Sequence, residues 1–599
     1  MLSLFSSSVS IFFHCFSFLF NSWTLTFATS VLLLLVIMDK TDKKMPGSPP
    51  GPRGLPILGM LPFMMSYPER LMADWSKKHG PVIMVKMGPK NVVILGSSDA
   101  AHAAFVKNTH LANRPQDGLE IFAGGKGILF INSSMFHSEQ RRFCLSALRE
   151  FGMGRRTLEP KIVDCAAMLC DQIDDVCGDD VSTGPIQIEQ MIYVTMSNVI
   201  SHLVFGHDSL NDNKGLCELL LRTIEPNKYN ALAGILMFLP SLKNVPPFST
   251  TTRRAIEFRE DLHRYIKMEI DRHRASRDPN QPRDFIDKFL NEIEKIKVRH
   301  NSNNNNNNNL ILNNNVKDKH LLHPNYSHQL HSHHHGNHHH GNHHHGNHHH
   351  SNHHHGNHHH SNHHHHRPRK SSGRSPRRRG SKSRRKIAGA SFSEDQLIPL
   401  VRDLFMAGTD TSSTTITWAV IFLASFPDVQ TRLHEELDSV LGQSRTPSVS
   451  MEDKMPYMRA VIQETFRMRP PLPLSVPHVA QCNTTLMGYR VPKDSIILTN
   501  TWGIQNNPKF WVDPDTFKPQ RHIDDLGKFI KSPNVIPFNI GSRNCLGQQL
   551  AKMELFITIA SLCRRFWFTL PTGETPDLKG ESTFILRPFP FNVVATKRV

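Results

Sequence analysis

FNIGSRNCLG, residues 538–547, sets one cysteine among two glycines, an arginine and a phenylalanine. Gly541 and Gly547 permit tight turns and a close approach of the backbone to a flat partner. Arg543 is suited to pairing with a carboxylate. Cys545 precedes LGQQLAKMELFITIASLCRRF (546–566), whose apolar spacing predicts a long buried helix. A cysteine just before a helix N-terminus feels the positive end of the dipole and unpaired N–H groups, and both favour thiolate over thiol. A thiolate held there beside amide donors suits axial ligation of iron. An ordinary buried cysteine accounts for none of the pattern FxxGxRxCxG.

The other cysteines stand at 15, 144, 165, 170, 177, 217, 482 and 563. The total of nine is odd and no CxxC occurs, which argues against a disulfide framework or a structural zinc site and for a reducing compartment. Hydrophobic residues make up 38% of 599, low for a globular chain, so some long stretch must be unusually polar. That stretch is 301–390. It carries thirteen of the Lys/Arg residues against one acidic residue, and so +12 of the formal +18. The basic balance says little about the rest.

Within 301–390 an asparagine tract (301–315) is followed by a five-residue repeat of HHH-Gly/Ser-Asn (333–366). The basic run RPRKSSGRSPRRRGSKSRRK (367–386) comes next. None of it has the apolar periodicity needed to offset the entropy of ordering, so a disordered insert is expected. Metal capture by the histidines, or binding of nucleic acid or an anionic membrane by the arginines, is an alternative accessory role. It explains only this segment, and nucleic acid is not expected as a partner. Twenty-six of the 39 histidines lie here, so histidine count is no guide to a catalytic centre. The flanks, 284–297 and 392–405, read as amphipathic helices, so the insert joins two helices of one domain.

Residues 1–38 hold no charged side chain and end in VLLLLVIM (31–38). An apolar run of this length spans a bilayer. No basic residue precedes it, which favours an uncleaved transmembrane anchor over a signal peptide. Lys40, Lys43 and Lys44 follow and place the body on the cytosolic side. Residues 39–56, with PGSPPGPRGLP at 46–56, read as a stiff proline-rich linker. Another apolar, proline-broken stretch, ALAGILMFLPSLKNVPPF (231–248), reads either as core or as a membrane-dipping lip.

The cysteine run resembles the haem-binding loop of the cytochrome P450 superfamily of haem-thiolate monooxygenases, and the resemblance recurs in order along 46–300 and 391–599. Glu464-Thr-Phe-Arg467, within MPYMRAVIQETFRMRPP (455–471), matches the family's ExxR; an i, i+3 pair shares one helical face. FKPQRH (517–522) matches the segment that supplies a third partner, Arg521, with Gln520 where an acid is usual. Ala407-Gly408-Thr-Asp410-Thr411 matches the oxygen groove. The resemblance implies that Gly408 opens room for dioxygen, Thr411 donates a hydrogen bond there and Asp410 relays protons. Arg141, in His137-Ser-Glu-Gln-Arg141, matches a propionate contact, with His137 standing where the family has tryptophan. His478 in VPHVA and Arg543 are further propionate partners; Arg114 in ANRPQ is a looser one, and Phe538 belongs to the cofactor loop. GKGILF (125–130), LREFGMGRRTLEP (148–160) and PRDFIDKFL (282–290) resemble the microsomal animal group.

The resemblance implies a mainly α fold with a small β-rich region towards the N-terminal side. The domain would comprise 57–300 and 391–599, with haem b (iron protoporphyrin IX) bound through Cys545. It also implies oxygen insertion into a lipophilic steroid, fatty acid or xenobiotic, with electrons from NADPH through a cytochrome P450 reductase docked near Arg564 and Arg565. The setting would be the endoplasmic reticulum membrane. Alternatives are a haem-thiolate isomerase or dehydratase acting on a peroxide, against which Thr411 counts, and a haem-binding scaffold without turnover.

Overall fold

The computed structural model describes residues 25–31, 33, 45–299 and 392–598, apart from 65, 118–119, 121–123, 179, 208–215, 217–218, 220, 222–228 and 443–445. In chain order the first elements are helix α1 (Pro68–His79), strands β1 (Val82–Met87) and β2 (Lys90–Leu95), and α2 (Ser98–Phe105). Helices α3 (Met135–Glu150), α4 (Glu159–Cys177), α5 (Glu189–Phe205), α6 (Tyr229–Phe238) and α7 (Phe248–Ser276) follow. A helix over 285–299 is α8. Then come α9 (Glu394–Ser425), α10 (Pro427–Leu441) and α11 (Pro456–Met468). Strands β3 (His478–Val479), β4 (Thr484–Leu486), β5 (Tyr489–Val491) and β6 (Ile496–Thr499) precede α12 (Thr501–Gln505) and α13 (Gln548–Arg565). Four short strands close the chain: β7 (Phe566–Thr569), β8 (Glu581–Ser582), β9 (Leu586–Arg587) and β10 (Val594–Lys597).

Helix α9 is the centre of the packing. From Thr409 to Ala424 only Thr411 escapes full burial, as an apolar-to-small sequence without a polar face requires. Its first turn carries Glu394 and Asp395, the charges that the N-terminal dipole favours. It packs on α5, α7, α11 and α13. Trp418 stacks on Phe422, and Phe422 on Phe517 at 4.4 Å, tying α9 to the segment after α12. The helix expected after Cys545 is present as α13, buried over most of its length.

One four-stranded sheet has the order β1-β2-β6-β3. The hairpin pairs antiparallel, Val82 opposite Leu95; β2 runs parallel to β6, Val92 opposite Ile496; β3 pairs antiparallel with β6. The expectation of a β-rich region towards the N-terminal side is therefore half right, because β3 and β6 come from residues 478–499. Both faces of the hairpin are apolar and both are covered. Val82, Met84, Val93 and Leu95 pack with Ala100, Ala101 and Ala104 of α2. Ile83, Val85, Val92 and Ile94 pack with Met72 and Trp75 of α1 and with Phe238. This sheet sets Phe105 beside His478, ring centres 4.2 Å apart.

The chain divides into two units, Met1–Lys295 with Ile387–Val599, and Ile296–Lys386. The insert read at 301–390 lies outside the described residues. Among the described residues no helix is long and apolar enough to cross a membrane. Of the anchor read at 1–38, residues 25–31 and 33 are helical and the remainder lies outside the described residues. The stretch 231–248 forms the end of α6 and a 3-10 turn at Pro240–Asn244, with Met237 and Leu239 packed on the cluster that holds Met60 and Leu61.

Candidate active site

The loop 538–547 closes on itself: the Cys545 N–H donates to the Phe538 carbonyl at 2.9 Å. Phe538 meets Phe466 of α11 edge-on, centres 5.3 Å apart. Gly541 has φ +82°, and a Cβ there would fall 2.2 Å from the carbonyl oxygen of Phe105, so only glycine fits. Gly547 differs. Its φ is −86° and a Cβ would meet no protein atom within 4 Å. Cys545 is exposed where the other described cysteines are buried or half-buried. Enough protein still surrounds its thiol that desolvation pushes its pKa up, although the Gly547 N–H and the Arg141 charge pull it down. The pull of the helix terminus read from the sequence is present in the Gly547 N–H, and desolvation by the surrounding protein opposes it. Coordination to a metal cation would settle the balance in favour of thiolate.

Four elements bring cations together beside this loop. Arg543 donates to the carbonyls of Ala112 (3.2 Å) and Ile131 (2.5 Å), and Arg114 to those of Leu129, Val476 and Pro477 at 2.8–3.0 Å. Arg141, on α3, reaches across to Asn544 Oδ1 at 2.6 Å. His137 lies one turn earlier on α3, whose N-terminus Ser134 caps. His478 is buried, its Nδ1 3.1 Å from the Leu111 carbonyl and its Nε2 without a protein partner. Burial, followed by the charges of Arg543, Arg141 and Arg114, lowers His137 to about 3. Burial and Arg141 bring Arg543 down to about 10. Burial, then Arg114 and Arg543, push His478 well below the ordinary imidazole value. Among the described residues none of the three arginines pairs with a carboxylate.

Like charges drawn together in a low-dielectric setting call for anions. Haem brings two propionates and an iron that takes a thiolate, so these residues fit it. Cys545 would ligate the iron, and Arg114, Arg141, Arg543, His137 and His478 would face the propionates. Histidine in place of tryptophan at 137 costs packing area, yet the ring is buried and stands in the cation cluster.

Beneath the loop, Glu464 and Arg467 of α11 form a bidentate pair, Nε to Oε2 2.7 Å and Nη2 to Oε1 3.0 Å, both wholly buried. Arg521 Nε reaches Glu464 Oε1 at 3.0 Å. Trp511 lies under both guanidiniums, 5.4 and 5.9 Å from the ring centre. The three residues read together from the sequence are thus together in space. A fourth was missed: His522 Nε2 is 2.9 Å from Glu464 Oε2. Gln520, where an acid was expected, is exposed.

On α9, Thr411 donates its hydroxyl to the Ala407 carbonyl at 2.8 Å, bonding back along the helix as Ser413, Thr415 and Thr417 do. Its lone pairs stay available. Asp410 Oδ1 pairs with Arg587 Nη2 of β9 at 3.3 Å, a partner the sequence did not announce. At Gly408 a Cβ would stand 3.1 Å from Ile200 of α5, so the small residue serves helix contact. Arg565, read as a docking residue, is paired internally with Asp171 (2.8 Å) and Asp174.

The cytochrome P450 family profile matches residues 49–321 and 377–595. The chain is a cytochrome P450. It is 30% identical over 583 residues to cytochrome P450 2U1 of Bos taurus, covering 92% of this chain and 90% of that one. To cytochrome P450 2J2 of Homo sapiens it is 29% identical over 595 residues, covering 96% and 98%. To cytochrome P450 2D15 of Canis lupus familiaris it is 28% identical over 586, covering 96% and 98%. The protein is a P450 monooxygenase of the microsomal animal type, an oxidoreductase with haem as its cofactor.

Proposed function

We propose that this P450 inserts one oxygen atom into a lipophilic small molecule of the steroid, fatty-acid or xenobiotic class. NADPH would supply electrons through a flavoprotein reductase, at the cytosolic face of the endoplasmic reticulum membrane. The observation that carries the reading is the carboxylate-free cluster of Arg114, Arg141 and Arg543 beside the exposed Cys545.

Haem b bound there supplies dioxygen activation. The protein's own residues do the rest. Arg114, Arg141 and Arg543 neutralise the propionates and fix their orientation. The Glu464–Arg467–Arg521 network holds the floor rigid. Thr411 offers acceptor lone pairs on the α9 face. Asp410 exchanges its contact with Arg587 for a proton donor when it relays a proton inward.

For the reductase, Arg142, Arg149 and Arg155 are exposed along α3 and just beyond it, around a cavity of about 530 Å³ that also touches Ser542. This face suits an acidic donor better than Arg565, which is committed to Asp171. For the membrane, Leu55, Ile57, Leu58, Phe63 and Val245 are exposed apolar residues near the 231–248 stretch. They favour the lip reading alongside the 1–38 anchor.

The test is the reduced, carbon monoxide-bound absorption spectrum, followed by turnover of a lipophilic substrate panel with reductase and NADPH. A far-red Soret band that Cys545→Ser abolishes supports the reading. Turnover of organic peroxides without NADPH, and none with it, would instead favour an isomerase or dehydratase. Flotation of the full chain and of a 1–38 deletion with liposomes tests the membrane assignment: loss of flotation on deletion makes the anchor necessary and counts against the lip, whereas retained flotation supports the lip.

A further inference from the structure

The cavity of about 530 Å³ on the α3 face has the size of a small-molecule site. Arg141, Arg142 and Arg149 of α3 line it with Arg155, just beyond the helix, and Ser542 of the cysteine loop. Arg142 and Arg149 are seven residues apart, two turns along one helical face. Among the described residues no carboxylate lines the cavity, and none of the four arginines has an ion-pair partner. Glu150, beside Arg149 in the chain, is committed to Lys288 of α8 at 2.7 Å. Four like charges around one concavity repel one another, and a bound anion relieves that.

The propionates assigned to Arg141 do not account for the other three. Arg149 lies eight residues further along α3, about 12 Å at the rise of an α-helix. Arg142, Arg149 and Arg155 all face solvent. A carboxylate offers two oxygens in one plane. Forked guanidiniums on several sides of a cavity suit a group that presents oxygens in several directions, as a phosphoryl group does.

We propose that this cavity is an oligophosphate site, which takes the pyrophosphate unit that nucleotides carry. Arg142, Arg149 and Arg155 hold the phosphoryl oxygens, and half-buried Arg141, already bonded to Asn544, closes the inner end. Binding needs only these side chains. Its effect on turnover rests on the docking reading given above, because an occupied cavity blocks the face that the reductase would use.

Titration calorimetry of the full-length holoprotein with pyrophosphate, in magnesium-free buffer at fixed ionic strength, should show saturable one-to-one binding. A lost charge-assisted contact costs about tenfold or more. Arg149→Gln and Arg155→Gln should therefore each weaken binding by about that factor. Both side chains are exposed, so the carbon monoxide spectrum and thermal midpoint should not move. Absence of saturation overturns the proposal. So does binding that survives both substitutions, which would lie elsewhere on the chain, the basic run at 367–386 included. Orthophosphate bound as tightly as pyrophosphate overturns the oligophosphate assignment. ADP and NADP+ distinguish the sources: either one bound at least as tightly as pyrophosphate supports a nucleotide ligand, and pyrophosphate bound alone supports the free anion. In turnover, pyrophosphate should raise the KM for reductase and leave kcat at saturating reductase unchanged. The docking reading fails separately. If both substitutions leave the reductase KM unmoved in phosphate-free buffer, the reductase docks elsewhere while pyrophosphate binding stands.

Discussion

His522 donates from Nε2 to Glu464 Oε2 at 2.9 Å, while Gln463 Nε2 donates to its Nδ1 at 2.8 Å. The imidazole is thus held as a neutral bridge, and burial lowers its pKa against the pull of Glu464. Glu464 also takes the Lys518 N–H at 3.0 Å besides its two arginines. His522→Ala removes one donor of several and should cost about 1–3 kcal/mol of unfolding free energy. Glu464→Ala strands Arg467 in the core and should cost about 3–5 kcal/mol with loss of haem. Urea titrations of both variants check the order; equal costs would make His522 as necessary as the arginines.

The same carboxylate predicts an acid limit. Burial alone would raise Glu464, but the bonds from His522 and Arg467 more than offset it and bring it to about 2. A depressed folded pKa contributes stability that is present above the ordinary value of 4.5 and is lost as pH falls towards 2. The contribution is on the order of 3 kcal/mol. Unfolding midpoints measured from pH 6 to 3 should fall, and less steeply in Glu464→Gln if that variant folds.

Legibility followed sequence distance. The ExxR pair could be read because i, i+3 residues share a helical face, and Arg521 because its segment has a recognisable pattern. His522 stands one residue further on and looked like the end of that pattern. Ser412 donates to Glu554 at 2.5 Å across 142 positions, and a lone glutamate in KMELFIT reads as helix surface until α9 is packed on α13. Arg587, the partner of Asp410, belongs to a two-residue strand with no periodicity to announce it. At Cys545 the helix terminus is local and visible in the sequence, whereas the desolvation that opposes it comes from the whole fold.

Arg141 joins α3 to the cysteine loop through Asn544 and lends its charge to Cys545. Arg141→Ala removes a charge-assisted contact of about 1.5–3 kcal/mol, or about 10–100-fold in haem retention. Haem transfer to apomyoglobin, timed by the Soret band, measures it. Arg141→Lys should recover part of the loss, since the charge remains but the forked geometry does not.

Away from the site, His273 Nε2 lies 2.8 Å from Asp284 Oδ2 with Nδ1 2.6 Å from the Glu269 carbonyl. Burial lowers the imidazole pKa, but the Asp284 bond and charge outweigh that and raise it. A raised folded pKa contributes stability fully present below the ordinary value and lost as pH rises through the folded one. Asp284→Asn should flatten the change in unfolding midpoint between pH 6 and 9. Although Asp287 is close by, Arg283 already occupies it, so zinc up to equimolar should leave the midpoint unmoved.

The two glycines of the cysteine loop separate folding from cofactor binding. At Gly541 the positive φ and the Phe105 carbonyl leave no room for a methyl group. Gly541→Ala should therefore destabilise even the haem-free protein, by about 1–3 kcal/mol for the backbone alone. At Gly547 the φ of −86° suits any residue and no protein atom stands where Cβ would go. Gly547→Ala should leave haem-free stability within about 0.5 kcal/mol of wild type, as for a site without contacts. A fall in haem affinity with the apoprotein untouched is the expected outcome, and it tests whether the open space at Gly547 is the cofactor's. Circular dichroism of the haem-free variants and haem titration of each distinguish the two; equal apoprotein loss at both positions would place Gly547 in the fold rather than at the cofactor.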